Sequence, residues 1–488
     1  MHPAGMTHQK HIHLIGICGT AMASLAGMLR AHGHNVTGSD TAAYPPMSDQ
    51  LREMGIPIME PFSAANLDPC PDLVVVGNAI SRGNLELERV LNARIPMTSM
   101  AALIHDEFLS NRERLIVCGT HGKTTTTSML AWIYEVAGRS NPAFTPSFLI
   151  GGVAENFATS FHIQTAPESR TFILEGDEYD TAFFDKGPKF LHYFPDVAIL
   201  THVEFDHADI YADLASVKTA FKRMVNLIPQ RGRLIAFDGS PNVTECCARA
   251  FCKVERYGFA PDSTWQATDL HQQGASTTQP GTTWTLLRNG ERFAHLTLPM
   301  AGEHNALNAT AAAALAAGQG IPVDAIIEAL ATFKSVKRRL EVRAEVAGIT
   351  LIDDFAHHPT AIRETLRALR AAYPGRRLWA VLEPRSNTLR RNVFERELVD
   401  SLALADEVVL AAVFKSEAIP PLERLDPAHV IDALNARSVP AILLPDADAI
   451  VAQAAPRMLP GDIIAILSNG GFGNIYEKLP AALAAPFG

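Results

Sequence analysis

Gly119-Thr-His-Gly122-Lys123-Thr124 is the stretch of this sequence whose residue types point most directly to chemistry. Arg114–Cys118 before it reads as a strand and Thr125 onward as a helix. The glycines let backbone N–H groups turn toward a phosphate, and the helix start adds its positive end. Lys123 can reach the β/γ-phosphates of a nucleotide, and the Thr124 hydroxyl can ligate Mg²⁺. Thr120, His121 and Thr125 complete the contacting loop. The loop departs from the full G-x-x-x-x-G-K-[ST] form, because Val117 holds the first glycine position. A bare GKT recurs by chance; the strand before and the helix after favour a nucleotide site over a structural turn.

A metal needs more ligands than one threonine. Glu175, in Ile173-Leu-Glu-Gly-Asp-Glu-Tyr-Asp180, ends a strand-like run with a carboxylate suited to Mg²⁺. His207, in His202-Val-Glu-Phe-Asp206-His207-Ala-Asp209, is the second candidate. Taken singly, each has a bland alternative, a solvated acidic loop or a hydrogen-bonded histidine. Beside a phosphate loop, ligation is the better reading, because charge must be neutralised there. Asp177, Glu178, Asp180 and Asp206 are left as outer contacts of the metal or as substrate contacts.

Gly16-Ile-Cys18-Gly19-Thr-Ala21 stands where a dinucleotide fingerprint would. Cys18 and Ala21 replace the second and third glycines of G-x-G-x-x-G, which weakens an NAD reading. A glycine turn opening a helix still suits a pyrophosphate. Asp40 follows the next strand, about where a ribose-binding acid would lie, and a plain Gly38-Ser-Asp40 turn remains the alternative.

These residues require strands to position them. His11–Ile17, Asn35–Gly38 and Leu73–Val76 read as buried strands. A second set is Arg114–Cys118, Thr171–Leu174, Val197–Leu200 and Arg233–Phe237. The third is Ile349–Ile352, Leu378–Leu382, Glu407–Ala411, Ala441–Leu444 and Ile463–Leu467. Short apolar runs between longer helical stretches predict α/β domains with parallel sheets. Ser263 to Leu298, rich in Thr, Gln and Gly, predicts antiparallel strands at the edge of the middle domain, and Ala309 to Ala317 must be helix. Asp40, Asn78, Gly119–Thr124, Glu175, Asp353, Glu383 and Ser468 all follow strands. Ligands bind at the carboxyl ends of strands in such sheets, so one site assembled in a cleft is expected.

With 488 residues the chain exceeds one hydrophobic core; we divide it into three domains, 1–110, 111–338 and 339–488. A net charge of −10 argues against broad binding to DNA or RNA but not against a small phosphorylated ligand. The six cysteines include no C-x-x-C pair and read as reduced thiols, with a cytoplasmic location. The uncharged run Leu14–Leu29 resembles a signal-peptide core, but Gly16, Gly19 and Gly27 make a βα unit the better reading. No other stretch is apolar enough to span a bilayer, and no membrane partner is expected.

In this order the segments resemble the Mur ligase family of peptidoglycan synthesis along essentially the whole chain. They are GICGTAM (Gly16–Met22), GSD (Gly38–Asp40), GTHGKTTTT (Gly119–Thr127), EGDEYD (Glu175–Asp180), EFDHAD (Glu204–Asp209), GEHNALNA (Gly302–Ala309), KRRLE (Lys337–Glu341), DDFAHHPTAI (Asp353–Ile362), EPRSNT (Glu383–Thr388) and SNGGFG (Ser468–Gly473). The resemblance implies a Rossmann-like UDP-sugar domain, a central P-loop ATPase domain, and a C-terminal Rossmann-like domain that closes over ATP. It implies that Lys123 meets phosphate, that Thr124, Glu175 and His207 hold metal, and that Asn305 and Asn308 meet adenine. Those two asparagines lie three apart and share one face of the alanine-rich helix. Arg339 resembles the γ-phosphate arginine and Asp353 the C-terminal contact to ATP. By the same resemblance Gly16, Gly19, Asp40, Asn78, Ser81 and Arg82 belong to the UDP-sugar site.

His357 and His358 resemble the branch that uses UDP-N-acetylmuramate itself, where they would orient the carboxylate or the incoming amine. YPPMS (Tyr44–Ser48), GNAISRGN (Gly77–Asn84) and EYDTAFFDKGPKF (Glu178–Phe190) are similar to members that attach the tripeptide L-alanyl-γ-D-glutamyl-meso-diaminopimelate in cell-wall recycling. The runner-up is the branch that adds L-alanine in biosynthesis. Arg385 could hold a peptide carboxylate bidentately, with a helix-end salt bridge as its alternative. Lys222 lies near the place where relatives carry a carbamylated lysine, but an ordinary helix edge is the preferred reading.

Two other classes compete. An NAD-dependent oxidoreductase would use the first glycine turn and leave the phosphate loop, Glu175 and His207 unexplained. A regulatory P-loop NTPase would leave the polar strand ends of the outer domains without a role.

Overall fold

A computed structural model describes residues 9–41, 43, 47–274 and 281–484. Tyr44, Pro45 and Pro46 of the YPPMS segment lie outside them. The chain divides into two compact units. The first comprises Met1–Val203, Lys218–Arg256 and Ala311–Ile326, and the second Glu204–Val217, Tyr257–Thr310 and Ile327–Gly488.

The first unit opens with an all-parallel sheet in the order Ile58–Met59, Asn35–Ser39, His11–Ile15, Leu73–Val76, Met97–Ser99. Ile15 pairs with both Ser39 and Val76, so Gly16, Asp40 and Gly77 leave the sheet at the same edge. The apolar run from Leu14 is a strand, a turn and the helix Thr20–Ala31, as the βα reading expects.

The same unit holds strands in the order Arg233–Phe237, Val197–Leu200, Glu113–Cys118, Thr171–Gly176, Ser147–Ala154, Thr159–His162. All pair in parallel except the last. Leu115, Ile116, Val117 and Cys118 are wholly buried, which is why the phosphate-loop strand reads as one unbroken apolar run. Cys118 is flanked by Leu200 and Gly176, placing the ends of three strands side by side.

In the second unit six strands run Glu341–Val346, Ile349–Asp354, Ile463–Leu467, Leu378–Leu382, Glu407–Ala411, Ala441–Leu444. Only the first is antiparallel. Strand alternation divides the core. Leu378, Ala380 and Leu382 face one layer with Ile362, Leu366, Leu398 and Val430, while Trp379 and Val381 face another with Ile450, Ile475 and Leu479. Helices therefore cover both faces, as a mostly parallel sheet requires.

The Thr- and Gln-rich stretch forms the expected antiparallel ribbon, Trp265–Gln273, Gly281–Arg288 and Glu291–Leu298. Trp284 donates its indole N–H to Thr310 Oγ1 at 3.1 Å. The helix Glu303–Gly318 buries Ala309, Ala311–Ala314 and Ala316 completely, so alanine there serves close packing as well as helix propensity. No helix of the described residues is long and apolar enough to cross a membrane.

Candidate active site

The phosphate loop is shaped by what lies beneath it. Gly119 has φ +132, and a Cβ there would fall 2.1 Å from Thr201 Oγ1. Only glycine allows that approach. The loop is then pinned twice: Thr120 N–H donates to His202 O at 2.7 Å, and Thr201 donates its hydroxyl to His121 O at 2.5 Å. Gly122, at φ +79, turns the chain into the helix Lys123–Gly138, whose first residues include Thr124 and the buried Thr125.

Lys123 is folded over the loop. Its ammonium donates to Gly119 O at 2.8 Å, Thr120 O at 3.3 Å and Glu178 Oε2 at 2.8 Å. Burial works against its charge, but Glu178, Asp177 and Glu175 outweigh burial and raise its pKa. Thr124 donates its hydroxyl to Glu175 Oε1 at 3.0 Å, and Gly151 N–H donates to Glu175 Oε2 at 2.8 Å. Burial pushes the Glu175 carboxyl above its ordinary range against the pull of Lys123. Asp177 is neutralised by Lys189 at 2.6 Å and Asp180 by Lys186 at 2.6 Å. Lys222 pairs with Glu245 at 2.7 Å on the helix Leu214–Leu227.

At the first glycine turn, Gly16 (φ +84) and Ile17 both donate N–H to Ser39 O. Asp40 Oδ2 accepts Cys18 N–H at 2.9 Å, so this acid closes the turn itself. Gly19 is the N-cap of the helix that follows. Asn78 and Ser81 are exposed, and Arg82 makes a two-toothed pair with Glu88 at 2.8 and 3.1 Å.

The second unit gathers three motifs. The loop Glu204–Asp209 is held by His357, His358 and Thr360 on one side and Thr388 on the other. Buried Asp206 accepts the Thr388 hydroxyl at 2.6 Å and His207 N–H at 2.7 Å, with His357 Nε2 at 3.7 Å. Burial opposes its ionisation, but the neighbouring imidazoles of His357, His207 and His358 hold Asp206 well below the usual carboxylate range. His358 caps the helix Pro359–Ala372, sits 3.2 Å from Phe205 O and lies 3.6 Å from Glu204, which also accepts the Thr360 hydroxyl at 2.8 Å. His207 has φ +54, a backbone state that residues with a Cβ disfavour.

The paired arginines of KRRLE separate into two jobs. Arg338 Nε lies 3.2 Å from Asp353 Oδ2, and one Nη donates to Ser468 O, Gly470 O and the Tyr476 hydroxyl at 2.7, 2.9 and 2.9 Å. Arg339 lies with its guanidinium 5.0 Å from the centroid of Phe355. Asp353 is pushed up to about 6, by burial first and by Glu341, against the opposing Arg338. Asn305 and Asn308 are both buried on the helix Glu303–Gly318, and Asn305 donates to Ala301 O at 2.8 Å. Arg385 reaches Glu383 at 3.4 Å.

Family patterns match the chain in three successive parts: "Mur ligase family, catalytic domain" over residues 11–110, "Mur ligase middle domain" over 117–316, and "Mur ligase, glutamate ligase domain" over 338–470. The chain is also 43% identical, over 97% of its length and 98% of the relative's, to the UDP-N-acetylmuramate–L-alanyl-γ-D-glutamyl-meso-2,6-diaminoheptandioate ligase of Escherichia coli (strain K12).

The chain belongs to the Mur ligase family.

As a Mur ligase it is an ATP-dependent carboxylate–amine ligase built from three α/β parts. Among solved structures, a murein peptide ligase from Psychrobacter arcticus 273-4 is 37% identical at a TM-score of 0.72, covering 98% of this chain and 100% of that one. The UDP-N-acetylmuramate–alanine ligase MurC from Thermotoga maritima shares the fold at a TM-score of 0.78, with 23% identity over 96% of this chain and 98% of that one.

Of the residues read from sequence for the metal, Thr124 and Glu175 are brought into direct contact in the first unit, and His207 belongs to the second. Sequence reasoning missed Gly151, Thr201, Arg338 and Thr388 as holders of the site. Thr388 and Arg338 each stood inside a quoted motif, so the signal was present without a partner to interpret it. Gly151 and Thr201 stood in none.

Proposed function

We propose that this Mur ligase couples L-alanyl-γ-D-glutamyl-meso-diaminopimelate to UDP-N-acetylmuramate, using ATP and Mg²⁺, in peptidoglycan recycling in the cytoplasm. The observation that carries the reading is the 43% identity to the Escherichia coli ligase of that name, sustained over 97% of the chain. Six free cysteines, four of them buried, fit a reducing compartment.

Amide formation from a carboxylate needs a better leaving group than oxide. The muramyl carboxylate oxygen attacks the γ-phosphorus of ATP, ADP departs, and an acyl phosphate results. The alanyl amine attacks the acyl carbon, phosphate leaves, and the amine loses a proton. Lys123, with Gly119, Thr120, His121, Gly122, Thr124 and Thr125 around it, would bind the phosphates, and Arg339 would offset charge on the phosphoryl group in transit. Asn305 and Asn308 would seat adenine, with Asp353 as a further ATP contact.

Thr124 and Glu175 offer hard oxygen donors in contact, and burial of Glu175 favours an arriving cation, so this pair fits Mg²⁺. With His207 they would hold the ion, which supplies charge neutralisation when bound. Gly16, Gly19, Asp40, Asn78, Ser81 and Arg82 would bind the UDP-sugar. His357 and His358 would orient the carboxylate or amine, and Arg385 would hold an acceptor carboxylate. We place the domain limits at 1–110, 111–338 and 339–488. An acceptor panel with ATP and UDP-N-acetylmuramate tests the reading: phosphate release should depend on the tripeptide, and release driven equally by L-alanine would refute it.

A further inference from the structure

The strand Glu407–Ala411 ends in a segment that the roles above leave unused. Phe414 N–H donates to Pro384 O at 3.0 Å, and Arg390 reaches Phe414 O and Lys415 O at 3.3 and 3.4 Å. These bonds fix the backbone of Phe414 to the Glu383–Thr388 loop and that of Lys415 to Arg390 just beyond it. The Phe414 ring has the Arg385 guanidinium 3.8 Å from its centroid and Lys415 Nζ 5.3 Å from it. One aromatic ring thus gathers two cations.

Arg385 is set there by its surroundings. It crosses Gly470, where a Cβ would fall 2.1 Å from Arg385 Nε, so a larger residue would displace it. Lys415 is exposed, and its φ of +47 lies in the left-handed region that a residue with a Cβ disfavours. Among the described residues its ammonium makes no ion pair with a carboxylate, in contrast to Arg385, which has Glu383 at 3.4 Å. Two like charges held on one ring repel each other, and an anion placed with them relieves that repulsion.

We propose that Lys415 is a specificity-determining residue for the amine substrate, taking one carboxylate of the tripeptide while Arg385 takes another. The proposal rests on the tripeptide reading above. The chemistry matches: the tripeptide has a free glutamyl α-carboxylate and both carboxylates of diaminopimelate, whereas L-alanine has only the one beside its reacting amine. The Arg385 guanidinium, already seated on the ring, loses little freedom on binding. Remote binding of this kind positions the alanyl amine for attack.

The test is steady-state kinetics of the full chain and of Lys415→Ala, Lys415→Arg and Lys415→Glu, with tripeptide varied under saturating ATP and UDP-N-acetylmuramate. Lys415→Ala should lower kcat/KM for the tripeptide roughly tenfold, mainly through KM, and Lys415→Glu should lower it further. Lys415→Arg should stay within about twofold of the parent chain, and KM for ATP and for UDP-N-acetylmuramate should not move. An unchanged tripeptide kcat/KM in Lys415→Ala overturns the assignment. So does an equal shift in the KM of the other two substrates, which would mark a structural role. If the parent chain fails to use the tripeptide at all, the acceptor reading falls and this assignment with it.

Discussion

Thr388 donates its hydroxyl to Asp206 at 2.6 Å across 182 positions of sequence. The same hydroxyl oxygen accepts Ala208 N–H at 3.2 Å. One side chain of the EPRSNT motif therefore holds both flanks of His207, and Asp206 in turn accepts His207 N–H. His207, at positive φ, keeps its backbone state because its neighbours are fixed on both sides.

Thr388→Val removes that hydroxyl while keeping its shape. Leaving buried Asp206 and Ala208 N–H short of a partner should cost about 1–3 kcal/mol of stability. Turnover should fall about tenfold or more, because His207 is no longer held in place. Denaturant unfolding and steady-state kinetics check both; Thr388→Ser should restore most of each.

Lys123→Ala and Glu175→Ala should abolish turnover, by at least about a hundredfold, without loss of cooperative melting. Lys123 starts a helix and donates to the loop carbonyl of Gly119, and Glu175 sits near a strand end and accepts the Thr124 hydroxyl. Phosphate release and thermal unfolding are the measurements, and a folded variant with near-normal turnover would remove the assigned role.

The strands bearing the loops were legible because buried parallel strands read as unbroken apolar runs, as Leu115–Cys118 does. The short pieces Met97–Ser99, Asp180–Ala182 and Asp185–Pro188 carry no such run and were not read. Neither was Glu341–Val346, an edge strand that is partly exposed and antiparallel. The phosphate loop was legible because its chemistry is local. What depends on long-range contact was not: nothing in KRRLE separates Arg338, bonded to Asp353 and Tyr476, from Arg339.

That difference predicts opposite phenotypes. Arg338→Ala should destabilise the fold by about 3–5 kcal/mol, since Asp353 keeps its burial and loses its ion pair. Arg339→Ala should leave the melting temperature nearly unchanged and lower kcat at least about a hundredfold. Melting curves and kcat measured together separate the two arginines; matching losses of stability would contradict the division.

Asp353 carries a pH signature. Its carboxyl is raised from 3.8 to about 6, so the folded chain holds this proton where the unfolded chain has lost it. The resulting stability is fully present below about pH 4 and is lost as pH rises through about 6. Relative to the parent chain, Asp353→Asn should therefore gain in stability across that interval. Denaturant melts from pH 4 to 7 read the difference, and a gap that stays constant or moves the other way would refute the assignment.

The central claim is the identity of the amine. With ATP and UDP-N-acetylmuramate saturating, kcat/KM should be far higher for L-alanyl-γ-D-glutamyl-meso-diaminopimelate than for L-alanine, because on the proposed reading the added carboxylates would meet Arg385 and position the alanyl amine. The product should be the UDP-muramyl tripeptide, with one phosphate released for each amide formed. An equal or higher kcat/KM for free L-alanine would contradict the account and make the chain an alanine-adding ligase.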